Sequence, residues 1–194
     1  MLRPYDDGGL AHDLRVRAVR PVVATGTVRL VTRTIRSLTE SDWPAVWPII
    51  EAVCREGETY AYPLGLSEEQ ARGYWLEPPP GAVVVLEEDG EILGTAKMGP
   101  NRPGHGDHIG TASFMVAEAA RGRGVARALG EHVIAWHREH GFRGIQFNAV
   151  VESNAPAVHL WRKLGFEIVG TVPGAFRSPA HGEVGLHVMF LPLG

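Results

Sequence analysis

The sequence predicts a mixed α/β fold (α+β in some schemes) built as one domain. Its 194 residues suffice for a sizeable core without disulfides, and 44% of them are hydrophobic against 21% charged. Strand-like runs bounded by turn residues alternate with segments of helical periodicity. Their order, β-α-α-β-β-β-α-β-α-β-β, joins an antiparallel beginning to strand–helix–strand units that favour parallel pairing.

The arginine-rich stretch near the N-terminus allows two interpretations. Between Leu14 and Ser37 there are six arginines and no acidic residue, which suits a targeting segment or a basic arm. However, β-branched residues are mixed with the arginines and a small-residue turn divides the stretch, which favours two edge-type strands. We therefore expect residues 1–27 to form an N-terminal extension with an extra edge strand, and residues 28–194 to form the main domain.

The first half of the main domain predicts a strand, two helices and a hairpin. Pro48 interrupts the first helical pattern and predicts a kink or a break into two helices. Ser67 and Gln70 form a capping box ahead of the second helix, and Asp89-Gly90 is a tight-turn dipeptide between two strands. The predicted elements are strand Val28–Ser37, helices Trp43–Arg55 and Ser67–Leu76, and strands Ala82–Glu87 and Glu91–Met98.

The second half predicts strands that alternate with helices and ends in two further strands. Gly141 and Gly165 suit the C-caps of two helices. Pro173-Gly174 lies in a segment, Val172 to Arg177, that is predicted to begin a loop between the last two strands. The predicted elements are strand Ile109–Val116, helix Gly124–His140, strand Ile145–Val151, helix Asn154–Leu164, and strands Phe166–Val172 and Val184–Phe190.

Composition argues against several classes of protein. No apolar run is long enough to span a membrane, and a net charge of −3 does not favour a nucleic-acid or membrane-surface partner. The single cysteine, Cys54, excludes a disulfide scaffold. His137 and His140 lie one helical turn apart without a third ligand, so we predict no metal site. Asp6 and Asp7 interrupt the N-terminus, which predicts no secretory signal and a cytoplasmic protein.

The segment Arg121-Gly122-Arg123-Gly124-Val125-Ala126-Arg127 lies between a predicted strand and a predicted helix. Its glycines let the backbone approach a ligand closely, and the N–H groups at a helix start attract an anion such as a pyrophosphate. The segment is neither a Walker A loop nor a full dinucleotide-binding fingerprint. Taken alone, it is explained equally well as a flexible turn.

A second motif about thirty residues further on makes the pattern specific. Asn154 opens the motif, Leu160-Trp161 lies in its middle, and Gly165-Phe166 ends it. Together the two motifs resemble the GNAT superfamily of acyl-CoA-dependent N-acetyltransferases, over roughly Val28 to Leu193. The resemblance implies acetyl-CoA as cosubstrate without a metal. It also implies a mostly antiparallel central sheet with helices on both faces, splayed between its fourth and fifth strands.

The resemblance implies that one loop and one strand hold the CoA moiety. The loop amides would bind the pyrophosphate, the strand would pair with the pantetheine arm, and a backbone N–H near Met115 would polarise the thioester carbonyl. Asn154 matches a CoA-contacting asparagine and equally suits a helix N-cap. The implied cofactor-binding residues are Phe114, Met115, Val116, Arg121, Gly122, Arg123, Gly124, Val125, Ala126, Arg127, Asn154 and Trp161.

Proton transfer is the part of the chemistry that the resemblance leaves open. Trp161 stands where many members have a tyrosine thought to protonate the leaving thiolate, and an indole N–H is not a usable acid. That role is vacant or passes to a water or another residue, and Trp161 is a wall of the sulfur pocket or a core residue. An alkyl amine is mostly protonated at pH 7 and needs a base. Glu152 is the first candidate and Glu58 the second, although a solvated surface position also explains both.

A narrower resemblance points to acceptor residues. The run from Pro100 to Val116, with Phe147-Asn148, resembles the branch that contains fungal proline-analogue acetyltransferases. There Asn148 would lie in the acceptor site, although a structural bond to a neighbouring loop explains it as well. Thr111 replaces that branch's asparagine for the substrate carboxylate, and it offers one hydrogen bond instead of an amide pair. Further candidates are Tyr60 and Tyr62 as pocket walls, and Phe176 and Arg177 as an apolar wall and a carboxylate clamp.

The sequence therefore predicts an N-acetyltransferase that moves an acetyl group from acetyl-CoA to the amine of a small metabolite in a ternary complex. Two alternatives stay open, a protein or peptide N-acetyltransferase and an acyl-CoA-binding sensor with little turnover. Binding of nucleic acid through the N-terminal arginines is the least favoured reading, and it would predict steep salt dependence. Because two-fold dimers are common among such enzymes and an edge strand is exchangeable, a homodimer is expected.

Overall fold

The computed structural model describes residues 16–24 and 27–194. The strands of this part of the chain are β1 Val16–Ala24, β2 Thr27–Ser37, β3 Ala82–Glu88, β4 Glu91–Pro100, β5 Ile109–Val116, β6 Gly144–Val151, β7 Glu167–Ser178 and β8 Gly182–Pro192. The helices are α1 Trp43–Glu56, α2 Glu68–Trp75, α3 Val125–Glu139 and α4 Ala155–Lys163.

The described strands form one sheet in the order β1-β2-β3-β4-β5-β6-β8-β7. β1 pairs antiparallel with β2 along its whole length, from Val16–Ile35 to Ala24–Thr27, and forms one edge of the sheet. Residues 1–15 and 25–26 of the predicted N-terminal extension lie outside the described residues. In the part of the chain that the structure covers, no helix is long and apolar enough to cross a membrane.

β5 and β6 separate soon after they meet. They run parallel and pair only at Ile109–Gly144 and Gly110–Ile145, whereas the other neighbouring strands described are antiparallel. β5 stays paired with β4 on its other side up to Val116. A cleft therefore opens between β5 and β6, the fourth and fifth strands of the main domain, and the predicted splay is confirmed.

Helices cover both faces of the sheet, as predicted. On one face, α3 and α4 close a core that contains Leu129, Phe147 and Trp161. On the other face, α1 and α2 close a second core around Trp43 and Met115. Successive residues of a strand point to opposite faces, so each strand beside the cleft contributes side chains to both sides.

The capping box predicted ahead of the second helix is present, whereas Pro48 does not divide the first helix. Ser67 Oγ accepts a hydrogen bond from the Gln70 N–H, and Gln70 Oε1 accepts one from the Ser67 N–H, which confirms the capping box. Pro48 lies inside one continuous helix, α1, rather than between two. The N–H that Pro48 lacks would have bonded the carbonyl of Pro44 in the first turn, so only one bond is missing near the helix start.

The prediction of a loop from Val172 to Arg177 was wrong. These residues belong to β7, which continues to Ser178 and pairs with β8 as a long hairpin. Pro173-Gly174 has the composition of a turn, but here the register shifts between Val172 and Phe176, with Gly174 at φ +61°. Such a bulge takes up extra residues without ending the strand pairing.

Candidate active site

Beyond Gly110, the edge of β5 that faces the cleft is not paired with β6. In an antiparallel ladder alternate residues turn their N–H and C=O toward the same neighbour. Ala117, just beyond the end of β5, donates its N–H to the Leu93 carbonyl on the β4 side, so Met115 also faces β4 while Phe114 and Val116 face the cleft. Of the backbone N–H groups near Met115, those of Phe114 and Val116 are therefore the ones that face the cleft.

The hydroxyl of Tyr60 occupies this edge. It donates to the Phe114 carbonyl at 2.9 Å and accepts from the Phe114 N–H at 2.8 Å. Tyr60 follows α1 and lies on the α1/α2 side of the sheet, where its ring stacks on Tyr62 at 5.3 Å between centroids. Burial raises the pKa of Tyr60 above its usual range and that of Tyr62 to about 12. The loop after α1 thus reaches into the cleft with a hydroxyl that stays protonated.

An aromatic cluster forms the opposite wall of the cleft, on the α3/α4 side. Trp161 of α4 lies 4.7 Å from Phe114 and 5.0 Å from Phe147 between ring centroids. Trp161 is 7% exposed, so it is a wall and a core residue at once. Asn154 caps α4, because its Oδ1 accepts from the Ala157 N–H at 3.3 Å. Asn154 is therefore the N-cap of α4. This role is compatible with the predicted contact between Asn154 and CoA.

The glycine loop, Arg121 to Arg127, lies at the start of α3, and two of its residues have a left-handed backbone conformation. Gly122 and Gly124 have φ of +76° and +78°, a region that side chains disfavour. A Cβ at Gly122 would meet nothing within 4 Å, and one at Gly124 would approach only Arg33, at 4.0 Å. The positive φ angles, rather than close neighbours, therefore require glycine at positions 122 and 124. Because few atoms crowd this loop, the free N–H groups at the start of α3 are accessible beside it.

Every arginine of this loop is held by a carboxylate. Arg121 binds Glu56 at 2.5 Å, which raises the pKa of Arg121. Arg127 binds Glu131 at 2.8 Å. Arg123 binds Glu88, at the end of β3. The charges predicted to attract an anion are thus present but already paired, so a phosphate would compete with these acids.

Arg33 also contacts this loop, although no sequence pattern indicated it. From β2 it binds Glu88 at 2.6 Å and donates to the Arg123 carbonyl at 3.1 Å. Arg33 and Glu88 lie 55 residues apart in sequence, so no local pattern indicates their contact. Together they tie the glycine loop to the N-terminal side of the sheet.

Polar side chains gather near the point where the cleft opens, on the α1/α2 side. Asn148 donates from Nδ2 to Asn101 Oδ1 at 2.6 Å and accepts from Gln146 Nε2 at 2.8 Å. Thr111 shares this face, because Met115 of the same strand belongs to the core under α1 and α2. The structure therefore brings Asn148 and Thr111 to the same face as Tyr60. The structural bond to a loop, considered for Asn148, is also present.

The tip of the β7–β8 hairpin is fastened to the loop that carries Tyr60. Both oxygens of Glu58 are engaged, with Ser178 Oγ at 2.5 Å and the Ala180 N–H at 2.8 Å. Phe176 is buried two residues before Ser178, on the same face of β7. Arg177 is highly exposed and lies 3.6 Å from Glu183. Glu58 therefore ties the loop that carries Tyr60 to the hairpin tip, whereas Arg177 lies in solvent beside Glu183.

Glu152 follows β6 as predicted, but its carboxylate turns away from the cleft. Its Oε2 accepts from the Gly185 N–H at 2.9 Å. Gly185 belongs to β8, which flanks β6 on the side opposite β5. The structure therefore gives no support to Glu152 as the general base, because its acceptor oxygen is held on the far side of β6.

The predicted histidine pair, His137 of α3 and His140 just beyond its end, bonds the carbonyls of this helix. Nδ1 of His137 and Nδ1 of His140 lie 2.8 Å from the carbonyls of Val133 and Trp136. Across residues 16–24 and 27–194 the structure contains no group of three side chains suited to a metal ion. Cys54 is a free, buried thiol, and burial raises its pKa.

Known proteins resemble this chain in sequence and in structure. The model of the acetyltransferase (GNAT) family matches residues 34–166. A GCN5-related N-acetyltransferase from Kribbella flavida is 54% identical with a TM-score of 0.81, and the match covers 83% of this chain and 98% of that one. A phosphinothricin acetyltransferase from Sinorhizobium meliloti, solved in complex with acetyl-CoA, shares the fold at 23% identity and a TM-score of 0.74, over 84% of this chain and 89% of that one.

A curated relative matches part of the chain. An L-methionine sulfoximine/L-methionine sulfone acetyltransferase from Pseudomonas aeruginosa is 36% identical over 93 residues. The alignment covers 47% of this chain and 53% of that protein. The chain thus spans about half the length of this relative.

Proposed function

The chain belongs to the acetyltransferase (GNAT) family and is an N-acetyltransferase that uses acetyl-CoA; from this premise we propose that its acceptor is the amine of a small, amino-acid-like molecule. The amine attacks the thioester directly in a ternary complex. The observation that carries the proposal is the unpaired edge of β5, which lies between the glycine loop on one side and the polar residues Asn148 and Thr111 on the other.

The donor half of the site suits the shape and charge of CoA. A pantetheine arm carries amides that can pair with an open strand edge, as an added peptide strand does, and Phe114 and Val116 present such an edge. The loop from Gly122 to Ala126 suits the pyrophosphate, because it combines helix-start N–H groups with arginines. In this proposal Arg121 and Arg123 exchange carboxylate partners for phosphate, and Trp161 packs against the thioester end of the arm.

The acceptor half of the site suits a molecule with a carboxylate or a similar polar group. Asn148, Asn101 and Gln146 offer amide donors, and Thr111 adds a hydroxyl on the same face. The methionine-derived substrates in the name of the Pseudomonas relative support an amino-acid-like acceptor. Asn148 is exposed, so water can reach an amine bound beside it and take its proton. Solvent, rather than Glu152, is the base in this proposal.

We also propose a cellular location and an oligomeric state for the enzyme. We place it in the cytoplasm and as a homodimer, with the outer edge of β1 as the contact, because an unpaired strand edge readily pairs with a second copy. Sedimentation of the full chain tests the dimer. A monomer at every concentration would contradict it without affecting the assignment of the reaction.

Release of CoA thiol from acetyl-CoA, followed with a chromogenic disulfide, tests the function. The panel of acceptors contains amino acids, methionine sulfoximine, proline analogues, aminoglycosides and short peptides. We expect release that depends on an amino-acid-like acceptor. Release that depends only on peptides would move the acceptor to proteins, and tight binding of acetyl-CoA without release under any acceptor would favour a sensor.

Two variants separate the halves of the site. Gly124→Glu puts a negative charge into the loop and should raise the Kd for acetyl-CoA by at least tenfold. Asn148→Ala should raise the KM for the acceptor by roughly three- to tenfold, the loss of one hydrogen bond, while the Kd for acetyl-CoA stays unchanged. If Asn148→Ala leaves both constants unchanged, Asn148 is structural.

A further inference from the structure

We propose that Tyr60 donates the proton that the leaving CoA thiolate needs. The inference rests on the proposed function and assigns a residue to the role for which Trp161 is chemically unsuited. Trp161 has only an indole N–H, which is not an acid at working pH. Tyr60 reaches the cleft from the α1/α2 face of the sheet, opposite Trp161. Its assignment therefore depends on its position in the fold and not on the sequence motif that contains Trp161.

The contact that carries the inference is the double hydrogen bond between Tyr60 and Phe114. The hydroxyl donates to the Phe114 carbonyl at 2.9 Å and accepts from the Phe114 N–H at 2.8 Å. A residue at an open strand edge offers these two groups to an added strand. The Tyr60 hydroxyl therefore occupies the position of the first ligand atoms that would pair with this edge.

Packing keeps the hydroxyl at the cleft after a ligand takes its place. The Tyr60 ring is stacked on Tyr62 and lies edge-on to Trp75 at 6.4 Å between centroids. Trp75 is itself fixed, because its Nε1 donates to Thr95 at 3.1 Å inside the core. When the donor arm binds Phe114, Tyr60 loses both backbone partners but has little room to withdraw. Its hydroxyl then lies beside the thioester.

The proton balance of the step closes without a further reactant. The amine nitrogen bonds to the carbonyl carbon, the carbon–sulfur bond breaks, and the Tyr60 proton goes to sulfur. The nitrogen releases its surplus proton to water, and a proton from water returns to the Tyr60 oxygen. Burial raises the pKa of Tyr60 above its usual value of about 10, so the hydroxyl is protonated at every working pH.

Tyr60→Phe tests the role, with Tyr74→Phe as the matched control. Tyr74 is the outermost ring of the same stack, 4.9 Å from Tyr62 and 45% exposed. We expect Tyr60→Phe to lower kcat at least a hundredfold, the scale of general acid catalysis. The Kd for acetyl-CoA should stay the same or fall, because the hydroxyl no longer competes for Phe114. Tyr74→Phe should stay within twofold of the parent chain.

The outcomes separate this inference from the proposed function. If the parent chain releases thiol and Tyr60→Phe releases it equally fast, Tyr60 is not the donor, although the function stands. If Tyr60→Phe loses kcat and binds acetyl-CoA correspondingly worse, Tyr60 only positions the donor. If the parent chain shows no acceptor-dependent release at all, the proposed function fails and the inference fails with it.

A second variant keeps the ring and the hydroxyl in case Tyr60→Phe disturbs folding. A fluorinated tyrosine at position 60 has a more acidic phenol, so it ionises at lower pH. The fluorinated chain should therefore lose kcat at high pH, in a range over which the parent chain, whose Tyr60 stays protonated, keeps it. A fluorinated chain that keeps the parent's kcat over that whole range would overturn the assignment.

Discussion

His137 of α3 lies fully buried beneath the point where β5 and β6 separate. A Cβ at Gly110 would collide with its ring. The Val133 carbonyl can only accept, so Nδ1 carries the proton. Nε2 then holds a lone pair, with no hydrogen-bond partner among the described residues. Burial lowers the pKa of His137 more strongly than the carbonyls of Val133, Gly99 and Thr111 raise it. The fold therefore stabilises the neutral ring.

This burial predicts a loss of stability in mild acid. The unfolded chain binds a proton on His137 near pH 6.5, whereas the folded chain binds it only at lower pH. The stabilisation is thus complete above about pH 6.5 and is lost as the pH falls below it, by up to about 1.4 kcal/mol per pH unit for one proton. Urea unfolding between pH 5 and 8 measures it.

His132 contributes in the same direction, because burial lowers its pKa as well. His137→Gln should therefore reduce the slope of unfolding free energy against pH without abolishing it. His105→Gln, in a surface turn, serves as the control and should keep the full slope. An equal slope in the parent chain and in His137→Gln would show that His137 does not titrate differently in the two states.

Among the secondary-structure elements, β2 and β3 contribute side chains that hold the glycine loop at Arg123. Arg33 of β2 and Glu88 of β3 form one network with Arg123, and Arg33 also holds the Arg123 carbonyl. The glycine loop is thus oriented by side chains of β2 and β3, two strands that precede it in the chain. An anion entering the loop meets the Arg33 guanidinium near Gly124 as well as the loop itself.

Arg33→Ala should therefore raise the Kd for acetyl-CoA by roughly three- to tenfold, because a charged donor to the loop is lost. The loss should shrink at high salt, which screens partly exposed charges. Titration calorimetry at two salt concentrations measures both effects. Arg55→Ala, which removes an ion pair with Glu51 on α1, is the control, and equal Kd values for the two variants would contradict this role of Arg33.

The clamp between Glu58 and the β7–β8 hairpin is the other connection between elements. Glu58→Ala frees the hairpin tip at Ser178 and Ala180, and should raise the acceptor KM severalfold while the Kd for acetyl-CoA stays constant. A general base in that position would instead lower kcat and change its pH profile. Steady-state kinetics over pH distinguishes the two, and a kcat effect with an unchanged KM would restore Glu58 as a base.

At the scale of the whole molecule, the sequence predicted the features that depend on neighbouring residues, namely the secondary-structure elements and their order. Helical periodicity, the Ser67 capping box and the glycine motif depend on residues a few positions apart, and the element order followed from them. The decisive contacts of the site are not local. Tyr60 meets Phe114 across 54 residues and Glu58 meets Ser178 across 120. The pattern of a single sequence does not indicate which side chains come into contact when they are so far apart along the chain.

The wrong loop prediction and the unforeseen orientation of Glu152 have the same origin. Pro173-Gly174 looked like a loop because composition describes a residue's preference, while pairing with β8 decided the outcome. Glu152 was placed correctly after β6, but the side to which its carboxylate turns depends on Gly185 of β8. In both cases the strand order of the sheet, β6-β8-β7, supplied the partner that the local sequence did not show.

The central claim is that acetyl transfer takes place at the open edge of β5. A crystal structure of the chain with acetyl-CoA tests it most directly. We expect a pantetheine arm paired with Phe114 and Val116, a pyrophosphate at Gly122 to Ala126, and a Tyr60 hydroxyl moved from Phe114 to the thioester. An acetyl-CoA bound away from β5, with Tyr60 still on the Phe114 backbone, would contradict it.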